Sequence, residues 1–230
     1  MKPIRKLIII SSALLLALPA ISSAAPHAGP YVSGFIGVSV PRDSNVTTDY
    51  FSTTPSNHDQ VEFDPGINIG GTGGYDFGYL RLEGEISYKY SEIRSITDQS
   101  NNNRFRNPDG NLGVAAFMAN AFFDLHNESR VTPYLGGGIG FASLHLSDTF
   151  GTDTSGVPFS RPRLYDEGDD TVFAYQAGAG VEIALNRRFS LDVGYRYFGT
   201  DTATFNRDSA RWNSMKFESH NATVGFRTTF

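Results

Sequence analysis

Along residues 80–92 apolar and polar side chains alternate almost without a break. Leu80, Leu82, Gly84, Ile86, Tyr88 and Tyr90 share one parity, and Arg81, Glu83, Glu85, Ser87, Lys89 and Ser91 the other. A repeat of two is the signature of an extended strand with two different faces. The polar face is unusual, because four of its first five positions carry a charge. That density suits an enclosed polar space better than a surface facing bulk water.

The preceding segment has the same character. Val61, Phe63, Pro65, Ile67, Ile69, Gly71, Gly73, Tyr75 and Phe77 fall on one face, and Glu62, Asp64, Asn68, Thr72 and Asp76 on the other. A tight turn at Phe77-Gly78 predicts a hairpin with Tyr75 opposite Leu80, Ile69 opposite Ile86, Ile67 opposite Tyr88 and Thr72 opposite Glu83, which keeps both faces consistent. A second hairpin turns at Asn186-Arg187-Arg188. It sets Leu185 against Phe189 and Val181 against Val193, and so places Glu182 directly opposite Asp192. Strands are also predicted at 31–40, 112–125 and 132–146, with the last ending on Ala222, Val224, Phe226, Thr228 and Phe230, for a total of eight.

The predicted connections alternate in length. Long ones lie at 41–60, 94–110, 147–171 and 200–214, and short ones at 77–78, 126–130 and 186–188. Long loops on one rim and short turns on the other are the pattern of outer-membrane barrels. Two aromatic girdles complete it: Tyr88, Tyr90, Phe173, Tyr175, Tyr195 and Tyr197 at one level, and Tyr75, Phe77, Phe123, Phe189, Phe226 and Phe230 at the other. The expected fold is therefore all-β, an eight-stranded antiparallel up-and-down transmembrane β-barrel. The competing architecture is a soluble periplasmic sandwich or lipocalin-like barrel, whose apolar faces would point inward.

The first residues read as an export signal. Lys2, Arg5 and Lys6 precede an apolar run at 7–21, and small residues follow at 22–25. The expected division is a signal peptide over 1–25 and one barrel domain over 26–230, in the outer membrane of a Gram-negative cell. Loss of the three basic residues takes the formal net charge from −5 to −8. The Lys and Arg residues that remain are scattered, so nucleic acid is not an expected partner. With no cysteine, the chain has neither a disulfide framework nor thiolate chemistry.

Inward parity gathers charges of both signs: Asp64, Glu83, Glu85, Glu182 and Asp192 against Arg81, Lys89, Arg196 and Arg227. Eight strands enclose a space that side chains just fill, so these residues are expected to form an interior charge cluster. Arg227 is expected to be the closest cation to the Glu182–Asp192 pair. No catalytic, cofactor or metal site is expected. The acidic stretch 166–170, near Asp148 and Asp153, offers hard oxygen ligands but not the EF-hand spacing. Arg104 with Arg106 and Arg161 with Arg163 fit either lipopolysaccharide phosphates or ordinary loop solubility. Ser219 and His220 are adjacent on a strand and point to opposite faces, so they make no nucleophile–base pair.

The stretches FAYQAGAGVEIALNRRFSLDVGYRYFG at 173–199, FMANAFFDL at 117–125, TPYLGGGIGFAS at 132–143 and the terminal VGFRTTF at 224–230 resemble the opacity-type family of small outer-membrane barrels, relatives of the membrane domain of outer-membrane protein A. The resemblance covers the chain from residue 26 on, except its loops. It implies that Phe230 and Phe226 form a signal read by the outer-membrane assembly machinery, with Thr228 a departure from the bulky residue usual there. Its partners would be outer-membrane lipid and lipopolysaccharide, and a host or envelope ligand held by the loops. The expected function is a non-enzymatic surface protein; the alternatives are a narrow porin and, behind it, a lipid A-modifying enzyme.

Overall fold

The computed structural model describes residues 28–51, 56–99, 103–125, 129–153, 160–207 and 211–230. The export segment expected at 1–25 lies outside them. Eight strands form the main sheet: β1 (Gly29–Pro41), β2 (Gly66–Asp76), β3 (Leu80–Asp98), β4 (Asn111–Asp124), β5 (Val131–Leu146), β6 (Gly168–Ala184), β7 (Phe189–Thr200) and β8 (Glu218–Thr229). Each pairs antiparallel with its sequence neighbours, and β1 pairs with β8 from Tyr31 opposite Thr229 to Pro41 opposite Ser219. The sheet therefore closes on itself, which satisfies the backbone of every barrel strand inside a bilayer.

The faces follow the sequence parity. Ile36, Ile69, Ile86, Phe117, Ile139, Val193 and Val224 are exposed on the outside, while Asn68, Thr72, Arg81, Glu85, Asn120 and Thr223 are buried within. Both girdles point outward. Tyr88, Phe173, Tyr175 and Tyr195 mark one level, and Tyr75, Phe77, Phe123, Phe189 and Phe226 the other, where Tyr79 joins them. The β6–β7 hairpin has its predicted register, with Val181 opposite Val193 and Glu182 opposite Asp192. The β2–β3 hairpin is displaced by two residues: Tyr75 faces Leu82, Ile69 faces Tyr88 and Thr72 faces Glu85. Its turn is Gly78-Tyr79, with Gly78 at φ +102° and its N–H donating to Asp76 Oδ1 at 2.7 Å. Glycine at the first central position of a two-residue loop supplies the positive φ that such turns need. A displacement of two leaves every side chain on its own face, so parity alone does not distinguish the two registers.

The larger departure is at the rim expected to carry four long loops. The described residues there are largely strand. A hairpin of Ser44–Tyr50 and Asn57–Phe63 pairs with the upper part of β3, Arg211–Met215 pairs with Ser44–Tyr50, and Ala203–Phe205 pairs with Arg211–Met215. Arg104–Arg106 pairs with the other side of β3 and with Thr152–Asp153, while Arg163–Tyr165 pairs with Thr149–Phe150. These strands extend the barrel wall into a cap.

The cap has an apolar core. Val46, Val61 and Phe63 of the first hairpin, Ile93 and Ile96 of β3, and Phe205, Met215 and Phe217 meet Val114, Met118, Leu144, Leu146 and Phe198 from the barrel strands, all at most 6% exposed. The inward face thus changes character partway up the barrel, from charged below to apolar above. Asp64, expected inward, instead sits at the rim, where Arg94 binds it at 2.6 Å.

Ile86 is 61% exposed on the outer face. Ile86→Arg should lower unfolding free energy in lipid vesicles by about 2–4 kcal/mol, the cost of such a charge near the bilayer midplane. Ile86→Val should stay within about 0.5 kcal/mol. Denaturant titration checks both, and equal effects would contradict the orientation. Thr72→Arg, which parity alone would make the milder change, is not a neutral control, because Thr72 is buried and hydrogen-bonded to Ser33 at 2.7 Å.

Candidate functional site

Strand parity delivers the charged side chains to the lower interior, and strand pairing sets which of them meet. Glu182 on β6 lies at the centre of one group. Arg227 Nη1 of β8 approaches its Oε2 at 2.5 Å, Arg81 Nη1 of β3 reaches the same oxygen at 3.3 Å, and the Ser190 hydroxyl donates to Oε1 at 2.6 Å. Arg81 Nε also pairs with Asp124 at 2.9 Å. Asp192, although opposite Glu182, accepts its hydrogen bond from the Tyr134 hydroxyl at 2.9 Å. Arg227 therefore serves Glu182, and a phenol serves Asp192.

Higher on β3, Arg196 of β7 binds Glu85 directly and approaches Glu83 at 3.7 Å. Asn120 and Gln176 each donate to Glu85 Oε2 at 3.0 Å and join one another at 2.7 Å, and Tyr31 donates to Glu83 Oε2 at 2.6 Å. Lys89 donates to the Ser87 hydroxyl at 3.1 Å and places its ammonium 4.0 Å from the centre of the Phe198 ring. It marks the boundary between the charged tier and the apolar one.

Aromatic rings roof the other cations. Tyr134 lies 4.5 Å from the Arg81 guanidinium, Tyr31 lies 4.2 Å from Arg227, and Phe35 and Phe122 flank Arg196. Tyr134 reaches the lumen because β6 and β7 present Gly180 and Gly194 beneath it. A Cβ at Gly180 would stand 2.5 Å from the phenol oxygen. Between Phe35, Arg81, Glu83, Asp192 and Arg196 a cavity of about 10 Å³ remains, room for about one water. Sequence reasoning named all the charged residues of these two groups except Asp124, and also missed the uncharged Tyr31, Tyr134, Asn120 and Gln176. All five share the inward parity of their strands, so a reading that followed parity instead of charge would have included them.

On the cap the carboxylates are engaged by neighbours. Asp166 binds Arg163 at 2.9 Å and Arg211 at 2.7 Å, Arg163 also binds Asp148, and Asp170 accepts from the backbone of Thr171 and Thr204. The hydrogen bond from Arg163 holds the Asp148 carboxyl below the usual carboxylate range. Asp59 is pushed the other way by burial, while the Tyr165 hydroxyl, donating at 3.0 Å, partly offsets that. Among the described residues no cluster of His, Asp and Glu has the geometry to hold a metal ion. Ser219 is fully buried in the lumen, whereas His220 faces outward against Tyr195 at 2.6 Å.

The model of the outer membrane protein beta-barrel domain matches residues 9–230. Opacity protein V28 of Neisseria gonorrhoeae is 21% identical over 88% of this chain and 97% of its own. The outer membrane protein PagN of Salmonella typhimurium is 26% identical over 44% of this chain and 41% of its own, and an uncharacterized protein of Brucella abortus is 31% identical over 61% and 54%. The chain thus spans about half the length of these last two relatives. Among solved structures, the outer membrane protein OprG of Pseudomonas aeruginosa superposes with a TM-score of 0.60 at 13% identity, over 90% of this chain and 98% of its own. Neisserial surface protein A gives a TM-score of 0.52 at 18% identity, over 89% and 99%.

Replacing Arg227 by Leu leaves Glu182 with Arg81 as its one cation. Breaking a buried pair in this way costs about 3–5 kcal/mol. The cost arises from a charge left underpaired, so protonating Glu182 in acid should remove part of it. The stability deficit of the variant should be largest at pH 7 and smaller at pH 4. A deficit equal at both, measured by denaturant titration, would contradict this account.

Proposed function

The chain belongs to the outer membrane protein beta-barrel family, and from that premise we propose that it is a non-conducting, non-enzymatic surface protein whose cap makes the contacts with a host or envelope ligand. The opacity proteins and PagN among its relatives support a role at the cell surface. The observation that carries the reading is the division of the barrel into a charged lower tier and an apolar upper one, both buried. A solute pathway would need water along the axis, and an enzyme a pocket with convergent reactive groups.

The cap presents a contact surface instead. Phe51, at the end of the first cap hairpin, is 87% exposed, and the strand partners beside it place Tyr50 opposite Arg211 and Asp49 opposite Trp212. Exposed aromatics with arginine nearby are the residues that dominate binding energy at protein interfaces. A rigid platform beneath them limits the entropy lost on binding.

Cells displaying the protein on an otherwise non-adherent background should bind host surfaces or envelope components above vector-only cells, and Phe51→Ser should reduce that binding while leaving heat-modifiable gel migration intact. The purified protein should give no stepwise conductance in planar bilayers. Binding no greater than vector-only cells would overturn the surface reading. Conductance steps would favour the porin, and a change in lipid A mass on overexpression would favour the enzyme.

A further inference from the structure

In the connection between β5 and β6 the short strand Arg163–Tyr165 pairs with Thr149–Phe150. Exposed ion pairs tie it down on one side: Arg163 with Asp148 and Asp166, and Arg161 with Asp109 at 2.8 Å. Ion pairs so open to water contribute little. Tyr165 is held differently. It is 1% exposed within the apolar core of the cap, and its hydroxyl donates to Asp59 Oδ2 at 3.0 Å. Asp59 belongs to the hairpin between β1 and β2, which lies across the eight-stranded ring from β5 and β6. The contact therefore spans the bore and joins opposite walls of the cap.

The acceptor is a carboxylate in an unfavourable place. Asp59 stands directly opposite Asp98 of β3. Gln99 N–H donates to the His58 carbonyl at 2.9 Å, so Asp59 and Asp98 form the adjacent non-hydrogen-bonded pair, the kind that brings side chains closest. Like charges directly opposed in this way destabilise a ladder. On the other side Asp59 is opposed by the apolar Val46. His58 precedes it on its own strand, and Arg211 acts on Tyr165 but is itself bound to Asp166 at 2.7 Å. Burial pushes the Asp59 carboxyl above the ordinary carboxylate range; the Tyr165 hydrogen bond pulls it back in part, and the Asp98 charge raises it further.

A carboxyl raised in this way binds its proton more tightly in the closed cap than in an opened one. Closure is then favoured in mild acid and weakened as the pH rises through the closed-state value. The hairpin that carries Asp59 stays in place, because its pairing with β3 does not involve Tyr165. What loosens is the strap that crosses to it.

We propose that Arg163–Tyr165 is a strap across the top of the bore, latched on Asp59, that holds firmly in mild acid and loosens toward neutral pH. It covers the apolar tier most tightly when Asp59 carries a proton, whatever the cap binds. Hydrogen–deuterium exchange of residues 149–153 and 160–167, read by mass spectrometry on the full-length protein in detergent micelles, measures its opening. Asp59→Asn keeps an acceptor for the phenol and removes the charge, and comparison with wild type at one pH cancels the intrinsic pH dependence of exchange. At pH 7 the wild-type strap should exchange about fivefold faster than that of Asp59→Asn, the scale of like charges opposed across a ladder. At pH 4 the gap should narrow to less than about twofold. Asp98→Asn should slow exchange at pH 7 in the same direction, and Tyr165→Phe, which lacks the hydroxyl, should speed it at both pH values. All three variants should keep heat-modifiable migration and the exchange of the barrel strands. A wild-type to Asp59→Asn ratio that is the same at pH 7 and pH 4, or faster exchange in Asp59→Asn at pH 7, would overturn the pH-dependent latch. Unchanged exchange in Asp98→Asn would overturn the part given to the opposed carboxylate, and wild-type exchange in Tyr165→Phe would overturn the hydrogen bond as the fastening.

Discussion

Hydrogen bonding between β1 and β8 closes the sheet, and the rest of the molecule depends on that closure. An open sheet in lipid would leave a row of backbone donors and acceptors unsatisfied at each edge, at several kcal/mol apiece. Closing after eight strands also fixes the diameter, and with it the volume that inward side chains must fill. The lumen is then a packing problem as well as an electrostatic one. Glycine on β6 and β7 makes way for Tyr134, the phenol satisfies Asp192, and Tyr134 covers Arg81.

The two tiers of the interior solve that problem with different chemistry. Below, every cation named in the cluster lies against a carboxylate, a hydroxyl or an aromatic face, as buried charge requires. Above, hydrocarbon fills the same bore, and the wall is prolonged by cap strands that bring their own apolar side chains. Lys89 joins the tiers, with its ammonium on the Phe198 ring and a hydroxyl of its own strand. A cap built in this way is a structured platform held by the barrel, and its outward residues are set in position by the strands that carry them.

How much of this was legible in the sequence varies with depth. In the bilayer the outside is lipid and the inside polar, so parity separates Ile86 from Glu85 at sight, and the β6–β7 register follows from a turn at 186–188. In the cap the environments invert. Arg94, Arg104 and Arg106 face outward while Ile96 and Phe105 face inward, and the bulge that reverses β3 leaves no mark in a pattern of alternation. The described residues of segments that read as loops are therefore largely strand. The pairing within the ion cluster was hidden for a related reason. Parity shows that Glu182 and Asp192 meet, but whether Arg227 or Tyr134 answers each depends on side-chain reach across three strands, which no linear spacing encodes.

The bore is filled at both levels, by charged side chains below and by hydrocarbon above. Because the chain has no cysteine, single substitutions report access cleanly. Ala116, fully buried in the apolar tier, is the position to probe. In intact outer membranes Ala116→Cys should resist a small charged thiosulfonate reagent and react only after unfolding, while Arg106→Cys on the exposed wall should react at once. Rapid labelling of Ala116→Cys in the folded protein would show that water reaches the axis and would contradict the account.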